Sequence, residues 1–265
     1  MKFSTNALTH ESYQIPQSID DSIAIEKFLA RNQGKKVVVV QGLGFVGAVM
    51  SLVCANAVTE EYAVIGVDLA NENTYWKIKS INDGIFPLIA DDPKIAEFFD
   101  KAQQQGNLLA TYDPVAYKYA DVIIVDINLD VEKESNRIGE LQKFNVNLDR
   151  FKSAIQSIGR ECRDNALVLV ETTVPPGTCE KVVKPIIEKQ LTQRGLSLEN
   201  YRLGHSYERV MPGPDYIDSI REFPRVYSGS NIVSADAVET FLKTIIDTSV
   251  CELTRLEHTN ATEMA

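Results

Sequence analysis

A doubly wound α/β fold, with a mostly parallel sheet covered by helices on both faces, is what this sequence predicts. Three observations carry the prediction. Apolar runs of strand length recur at Val37 to Val40, Asp121 to Ile127 (DVIIVDI) and Ala166 to Val170. Unbroken runs of this kind, rather than alternation, mark strands buried on both faces. Helical patterns separate them, and the first half carries no hairpin signal, which argues for βα crossovers. The first run is also followed by a Gly-x-Gly-x-x-Gly turn at Gly42, Gly44 and Gly47, which leads into an apolar helical pattern (Ala48, Val49, Leu52, Val53).

Taken in order, residues 1–17 are polar and read as loose. Residues 18–32 have helical spacing at Ile19, Ile23, Phe28 and Leu29, with Ser18 as an N-cap and Gly34 as the stop. After the glycine turn and its helix, a second strand runs from Ala63 to Val67 and ends in Asp68. Residues 71–82 and 92–105 read as helices, separated by an Asn82-Asp83-Gly84 turn and punctuated by Pro87 and Pro93. Leu108 to Thr111 is a short strand, and Asp113-Pro114 opens a short helix because Pro suits a first turn.

Past the strand at 121–127, residues 128–143 are polar and charged and read as a loop over the site. Helices are expected at 144–160, 178–193, 234–247 and 254–265, and short strands at 202–205 and 225–228. The last pattern, LTRLEHTNATEMA, stops with neither a Gly or Asn cap nor a basic last turn. A frayed native end and a helix cut short both fit it. The expected organisation is an extension with one helix over 1–34, a nucleotide-binding domain over 35–250, and the truncated start of a linking helix over 251–265.

Composition narrows the function classes. Hydrophobic residues make up 44% and charged residues 24%, an ordinary globular balance. A net charge of -10 argues against nucleic acid or an anionic membrane as the partner. No apolar run approaches the roughly 20 residues of a membrane span, and the N-terminus has no apolar signal core, so a cytoplasmic protein is expected. Cys54, Cys162, Cys179 and Cys251 are widely spaced, and three histidines with no Cys-x-x-Cys pair give no metal-ligand spacing. Buried, reduced thiols and no metal are therefore expected.

The glycine turn has a definite chemistry. A helix N-terminus offers unpaired N–H groups and the positive end of its dipole, which suit a pyrophosphate. Gly42 permits the tight turn, Gly44 admits the phosphates to the backbone, and Gly47 lets helix and strand pack closely. Asp68, 21 residues beyond Gly47, can accept both ribose hydroxyls of NAD and would repel the extra phosphate of NADP. An ordinary glycine-rich strand–helix turn is the plain alternative.

Two further stretches stand out. VETTVPPGT (170–178) ends a buried strand with Thr172 and Thr173, where ligands lie in a doubly wound sheet. A threonine N-cap in an ordinary loop fits the same residues. HSYERVMPG (205–213) places Glu208 and Arg209 after a short strand. A solvated surface pair fits those equally.

In combination, GLGFVG, GVDL, SINDGIFPL, ATYDPVAYKYADVIIV, VETTVPPGT and YERVMPG resemble the UDP-glucose/GDP-mannose dehydrogenase family, in its motif order and spacing. The resemblance covers about residues 35–265, and the ERVMPG form looks more like the UDP-N-acetylhexosamine (mannosamine or glucosamine type) dehydrogenases than the UDP-glucose ones. It implies a Rossmann-like domain and oxidation of a sugar C6 alcohol to a carboxylate in two hydride transfers, with two NAD consumed. In the family an intermediate is held on a catalytic cysteine, and a glutamate helps water hydrolyse the resulting thioester. By resemblance, Gly42, Gly44, Phe45, Val46, Gly47 and Asp68 bind NAD, and Thr173 lies at the nicotinamide and reactive centre. Glu208 activates water, and Arg209 and Val210 line the nucleotide-sugar, with a UDP-sugar expected. A homodimer of the full-length enzyme is implied too.

The sequence also departs from the family pattern. Leu129-Asp130 stands where many members have Thr-Pro, and Pro212 where the glucose branch has a second acid. Thr262-Glu263-Met264-Ala265 resembles a stretch that a catalytic lysine directly follows. The glycine-rich Cys-Pro motif of the nucleophile is absent, and none of the four cysteines takes its position. The resemblance thus implies the NAD-binding half of such an enzyme, inactive by itself. A non-catalytic NAD-binding module and a Rossmann dehydrogenase of the 3-hydroxyacid or 6-phosphogluconate type are the alternatives.

Overall fold

The computed structural model describes every residue except Asp130 and Pro212, and Val131 by its backbone alone. Strands β1 (Phe3–Thr5) and β2 (Ser12–Gln14) lead into α1 (Ser22–Arg31), β3 (Lys36–Gln41), α2 (Phe45–Ala55) and β4 (Tyr62–Val67). Next come α3 (Tyr75–Asn82), α4 (Pro93–Gln105), β5 (Leu108–Thr111), a 3-10 turn (Pro114–Tyr119) and β6 (Val122–Val125). Strands β7 (Val131–Ser135) and β8 (Leu141–Val146) precede α5 (Asp149–Glu161) and β9 (Leu167–Val170). A π-type turn (Cys179–Val183) opens α6 (Lys184–Gln193), followed by β10 (Arg202–His205), α7 (Tyr216–Arg221) and β11 (Arg225–Gly229). The chain closes with α8 (Ile232–Ile245), β12 (Leu253–Arg255) and α9 (Thr259–Met264).

The main sheet has eight strands in the order β12-β11-β10-β9-β6-β3-β4-β5. The six strands β5, β4, β3, β6, β9 and β10 are all parallel, and β11 runs antiparallel to β10 with β12 parallel to β11. Read outward from β3, this is the doubly wound order with its reversal between β3 and β6, extended by two strands. The expected Rossmann-like fold is the observed one.

The alternation of β3 explains its unbroken apolar run. Val38 and Val40 join a core with α2, α4, α7 and α8 on one face. Val37 and Val39 join a second core with α1, the 3-10 turn, α5 and α6 on the other. Both faces bury apolar area, so β3 has no polar side to show.

Several expectations need correction. Residues 1–17 are not loose: β1 and β2 pair as a hairpin. Ser4 Oγ donates to the Glu72 carbonyl at 2.9 Å, and Asn6 Nδ2 donates to Ser80 Oγ at 2.8 Å, which pins the hairpin to α3. Those strands are three residues each and largely polar, so no hydrophobic period marks them. Helix α1 starts at Ser22 rather than after Ser18, and it buries Ile25 and Phe28 while Ile19 and Ile23 stay exposed. The 128–143 stretch holds β7 and, with residues up to 146, β8, an antiparallel hairpin in which Glu132 to Ser135 and Leu141 to Asn145 are exposed. Its solvated faces carry no apolar pattern to read. Residues 253–255 add to the sheet edge as β12, and only 259–264 are helical.

Candidate active site

The glycine turn sits at the topological switch. Gly42 follows β3 with φ +100, a backbone conformation that excludes ordinary side chains, and its N–H donates to the Val67 carbonyl at 2.8 Å. A Cβ on Gly42 would lie 2.2 Å from the Asp126 carbonyl oxygen. On Gly47 it would lie 1.9 Å from the Gly42 carbonyl oxygen and 3.1 Å from Asp126 Cβ. These two glycines therefore let α2 start directly against the ends of β3 and β6. Gly44 differs: a Cβ there meets nothing within 4 Å. It caps α2 without a side chain, so the first N–H groups of an 11-residue helix face a clear space.

Asp68 ends the β4 segment beside this turn. Its Oδ2 accepts from the Leu43 N–H at 2.9 Å and its Oδ1 from the Leu69 N–H at 2.7 Å. Burial pushes the Asp68 carboxyl up, and these two N–H groups pull it back. Each oxygen keeps a further lone pair. An open cradle at a helix N-terminus with an acid beside it fits a dinucleotide. Phe45 is exposed on one side, and Tyr216 of α7 packs on it, with ring centroids 4.9 Å apart and its hydroxyl donating to the Phe45 carbonyl at 2.7 Å. Val46 is half-buried and Gly47 buried.

The adjacent threonines Thr172 and Thr173 divide their work. Thr172 is buried, and its Oγ1 accepts from the Ile127 N–H at 2.9 Å and donates to the Val125 carbonyl at 3.0 Å. It ties the end of β9 to the end of β6. Thr173 points outward and is exposed.

Glu208 follows β10, and its N–H donates to the Glu171 carbonyl at 3.2 Å. Its side chain is half-buried, and burial, reinforced by the charge of Glu171, pushes its carboxyl up to about 7. Arg209 is exposed and leans on the Tyr207 ring, 5.9 Å from its centroid, while Val210 packs against the core. Tyr207, Glu208, Arg209, Val210, Met211 and Phe223 line an open cavity of about 260 Å³. Glu208 is thus more than half of a solvated surface pair.

Sequence reasoning missed what lies beneath. Glu171 and Arg225 form an ion pair at 2.7 Å with both side chains 0% exposed. Asp126, at the end of β6 and against both packed glycines, is buried, and neither carboxylate oxygen has a hydrogen-bond partner among the described residues. Burial, with the charges of Glu171 and Glu208 nearby, holds the Asp126 carboxyl well above the usual range. Burial also raises the Glu171 carboxyl, with Arg225 opposing. A run of apolar residues ending in an acid is the one local sign of Asp126 and Glu171. Nothing local links either to Arg225, 54 positions beyond Glu171.

All four cysteines are free and buried. The absence of metal-ligand spacing does not carry over to space, because Cys179, His205 and Glu263 converge. Two of the family differences, at Asp130 and Pro212, lie outside the described residues. Among the described residues, no helix is long and apolar enough to cross a membrane.

Comparison with known proteins bears on this geometry. Residues 35–245 match the model of the UDP-glucose/GDP-mannose dehydrogenase family, NAD binding domain. A UDP-N-acetyl-D-mannosamine dehydrogenase of Pyrococcus horikoshii is 25% identical over 209 residues, covering 79% of this chain and 44% of that protein. A GDP-mannose 6-dehydrogenase of Pseudomonas syringae pv. syringae is 33% identical over 152 residues, covering 56% of this chain and 30% of that protein. The chain therefore spans less than half the length of these relatives. The crystal structure of an NDP-N-acetyl-D-galactosaminuronic acid dehydrogenase from Methanosarcina mazei Go1 shares the fold, with a TM-score of 0.74 at 24% identity over 91% of this chain and 48% of that one.

Proposed function

Since this chain belongs to the UDP-glucose/GDP-mannose dehydrogenase family and carries its NAD-binding domain, we propose that it serves the oxidation of a nucleotide-sugar C6 hydroxyl to the uronate. The observation that carries this reading is the pairing of two features beyond the carboxyl ends of parallel strands of one sheet. One is an open glycine cradle flanked by Asp68. The other is a half-buried Glu208 whose carboxyl is held near neutrality.

In this reading Gly42, Gly44, Phe45, Val46 and Gly47 form the bed for the pyrophosphate, and Asp68 takes the adenosine ribose. NAD, when bound, supplies the hydride acceptor. Thr173 faces the nicotinamide and reactive centre. Glu208 accepts the proton of the water that hydrolyses the acyl intermediate. A carboxylate near 7 is half ionised at neutral pH, so it can both take and return that proton. Arg209 and Val210 border the sugar nucleotide, with a UDP-sugar favoured by the ERVMPG stretch. The four buried thiols of this chain supply no nucleophile, so these residues provide the cofactor half of the reaction and turn over little by themselves. The full-length enzyme acts as a homodimer in the cytoplasm.

The test is a calorimetric titration of the chain with NAD and NADP, followed by NADH production with UDP-N-acetylmannosamine, UDP-glucose, GDP-mannose and a 3-hydroxyacid. We expect saturable NAD binding, weaker NADP binding and negligible NADH release. Absence of NAD binding would refute the reading. Rapid NADH release with a 3-hydroxyacid would replace it by another dehydrogenase class.

A further inference from the structure

Three residues far apart in the sequence meet at the carboxyl end of the sheet. Cys179 opens the π-type turn after the threonine–proline loop, His205 ends β10, and Glu263 lies on α9. One potential ligand atom from each lies within 4.8 Å of the other two. Cys179 is 0% and His205 1% exposed. We propose that Cys179, His205 and Glu263 form a zinc site that ties α9 to the sheet.

The hydrogen bonds around the cluster leave it short of one partner. His205 Nε2 lies 3.3 Å from the Thr172 carbonyl oxygen, which can only accept. The proton therefore sits on Nε2, and Nδ1 presents a lone pair. That Nδ1 is buried and has no hydrogen-bond partner among the described residues. A buried acceptor left unpaired costs about 1–3 kcal/mol, and a metal ion is one way to satisfy it. A carbonyl holding the remote imidazole N–H is also the usual support of a metal-bound histidine. Glu263 is fixed as well: Oε1 accepts from the Cys179 N–H at 2.6 Å, and Oε2 accepts from the Gly177 N–H. The Cys179 thiol also hydrogen-bonds to this carboxylate, a contact that a cation between the two would replace.

The donor set selects the metal. A thiolate, an imidazole and a carboxylate suit zinc, whereas magnesium and calcium favour oxygen alone. Zinc binding displaces the thiol proton of Cys179, so one proton leaves for each ion bound and no electron moves. A fourth position remains for water. The inference does not depend on which sugar, if any, the protein oxidises.

The experiment uses the 265-residue chain, stripped with a chelator and titrated with zinc against a chromophoric competitor. Cobalt(II) then serves as a spectroscopic probe. We expect one zinc per chain, and a thiolate-to-cobalt charge-transfer band with the intense visible bands of a tetrahedral ion. Cys179→Ser should abolish the charge-transfer band, and Cys54→Ser should leave it unchanged. His205→Gln should weaken zinc by at least about tenfold while keeping the band. Melting of the metal-free variants by circular dichroism checks their folding, and if Cys179→Ser fails to fold, the His205→Gln titration decides. A stoichiometry well below one, a band that survives Cys179→Ser, or unaltered affinity in His205→Gln would each overturn the site.

Discussion

Replacing Arg225 by Met should show how much the buried charge cluster contributes. Arg225 Nη2 donates to Glu171 Oε1 at 2.7 Å, and neither side chain is exposed. Glu171 Oε2 and Arg225 Nε and Nη1 have no partner among the described residues. The pair is therefore held by one strong contact rather than a bidentate fork. Its removal leaves Glu171 and Asp126 buried beside half-buried Glu208 with no guanidinium among them. Removing one partner of a buried pair costs about 3–5 kcal/mol. For a chain of this length each kcal/mol moves the melting point by about 2–4 °C, so a loss of about 6–20 °C is expected at pH 8.

The loss should be smaller at pH 5.5 than at pH 8, because burial already raises the Glu171 carboxyl and lower pH favours its protonated form, which carries no stranded charge. The double variant Glu171→Met, Arg225→Leu should recover most of the stability, because an apolar pair of similar volume avoids both desolvation costs. Thermal melts of the three proteins at the two pH values read all of this. A single-variant loss below about 1 kcal/mol at pH 8 would show that the pair is not desolvated as described. A double variant weaker than the single one would refute the argument that the cost is a stranded charge.

Three further outcomes are expected. Asp68→Ala should weaken NAD binding and narrow the preference over NADP, as read by calorimetric titration; unchanged NAD affinity would remove Asp68 from the site. Gly47→Ala places a Cβ 1.9 Å from the Gly42 carbonyl oxygen, so the loop must move. Overpacking of this kind costs about 1–3 kcal/mol, and NAD affinity should fall along with the melting point. Glu208 holds its proton more tightly folded than unfolded, so its contribution to stability is present below about 4.5 and lost as pH rises to about 7. Relative to wild type, Glu208→Gln should therefore gain stability across that window and hold the gain above it, which melting curves from pH 4 to 8 will follow.

The sheet was legible because its strands are apolar on both faces and its crossovers are helical. Val37 to Val40 and Val122 to Val125 could be little else. The glycine turn was legible because turn, strand, helix and acid fall in one local register. The terminal hairpin and the β7–β8 hairpin were not, since three-residue polar strands and solvated strands carry no hydrophobic period. Glu208 could be picked out only by its resemblance to a family motif. Its proton affinity depends first on burial and then on the charges of Glu171 and Arg225, which β9 and β11 bring near it. The convergence of Cys179, His205 and Glu263 is likewise a product of topology, because spacing along the chain says nothing about strand ends that become neighbours.

The β7–β8 hairpin has a practical consequence. It lies between β6 and α5 in the chain, pairs only with itself among the described residues, and turns through Asn136 and Gly139, where the Gly139 N–H donates to the Asn136 carbonyl at 3.0 Å. Neither strand adds to the eight-stranded sheet, so the core does not depend on how the turn is closed. The turn is therefore a permissive port: an epitope tag or small fluorophore-binding peptide inserted between Asn136 and Gly139 should fold as an independent appendage. Because β6 leads into the hairpin from Asp126, such a label would stand close enough to the glycine cradle to report by energy transfer on a fluorescent dinucleotide analogue.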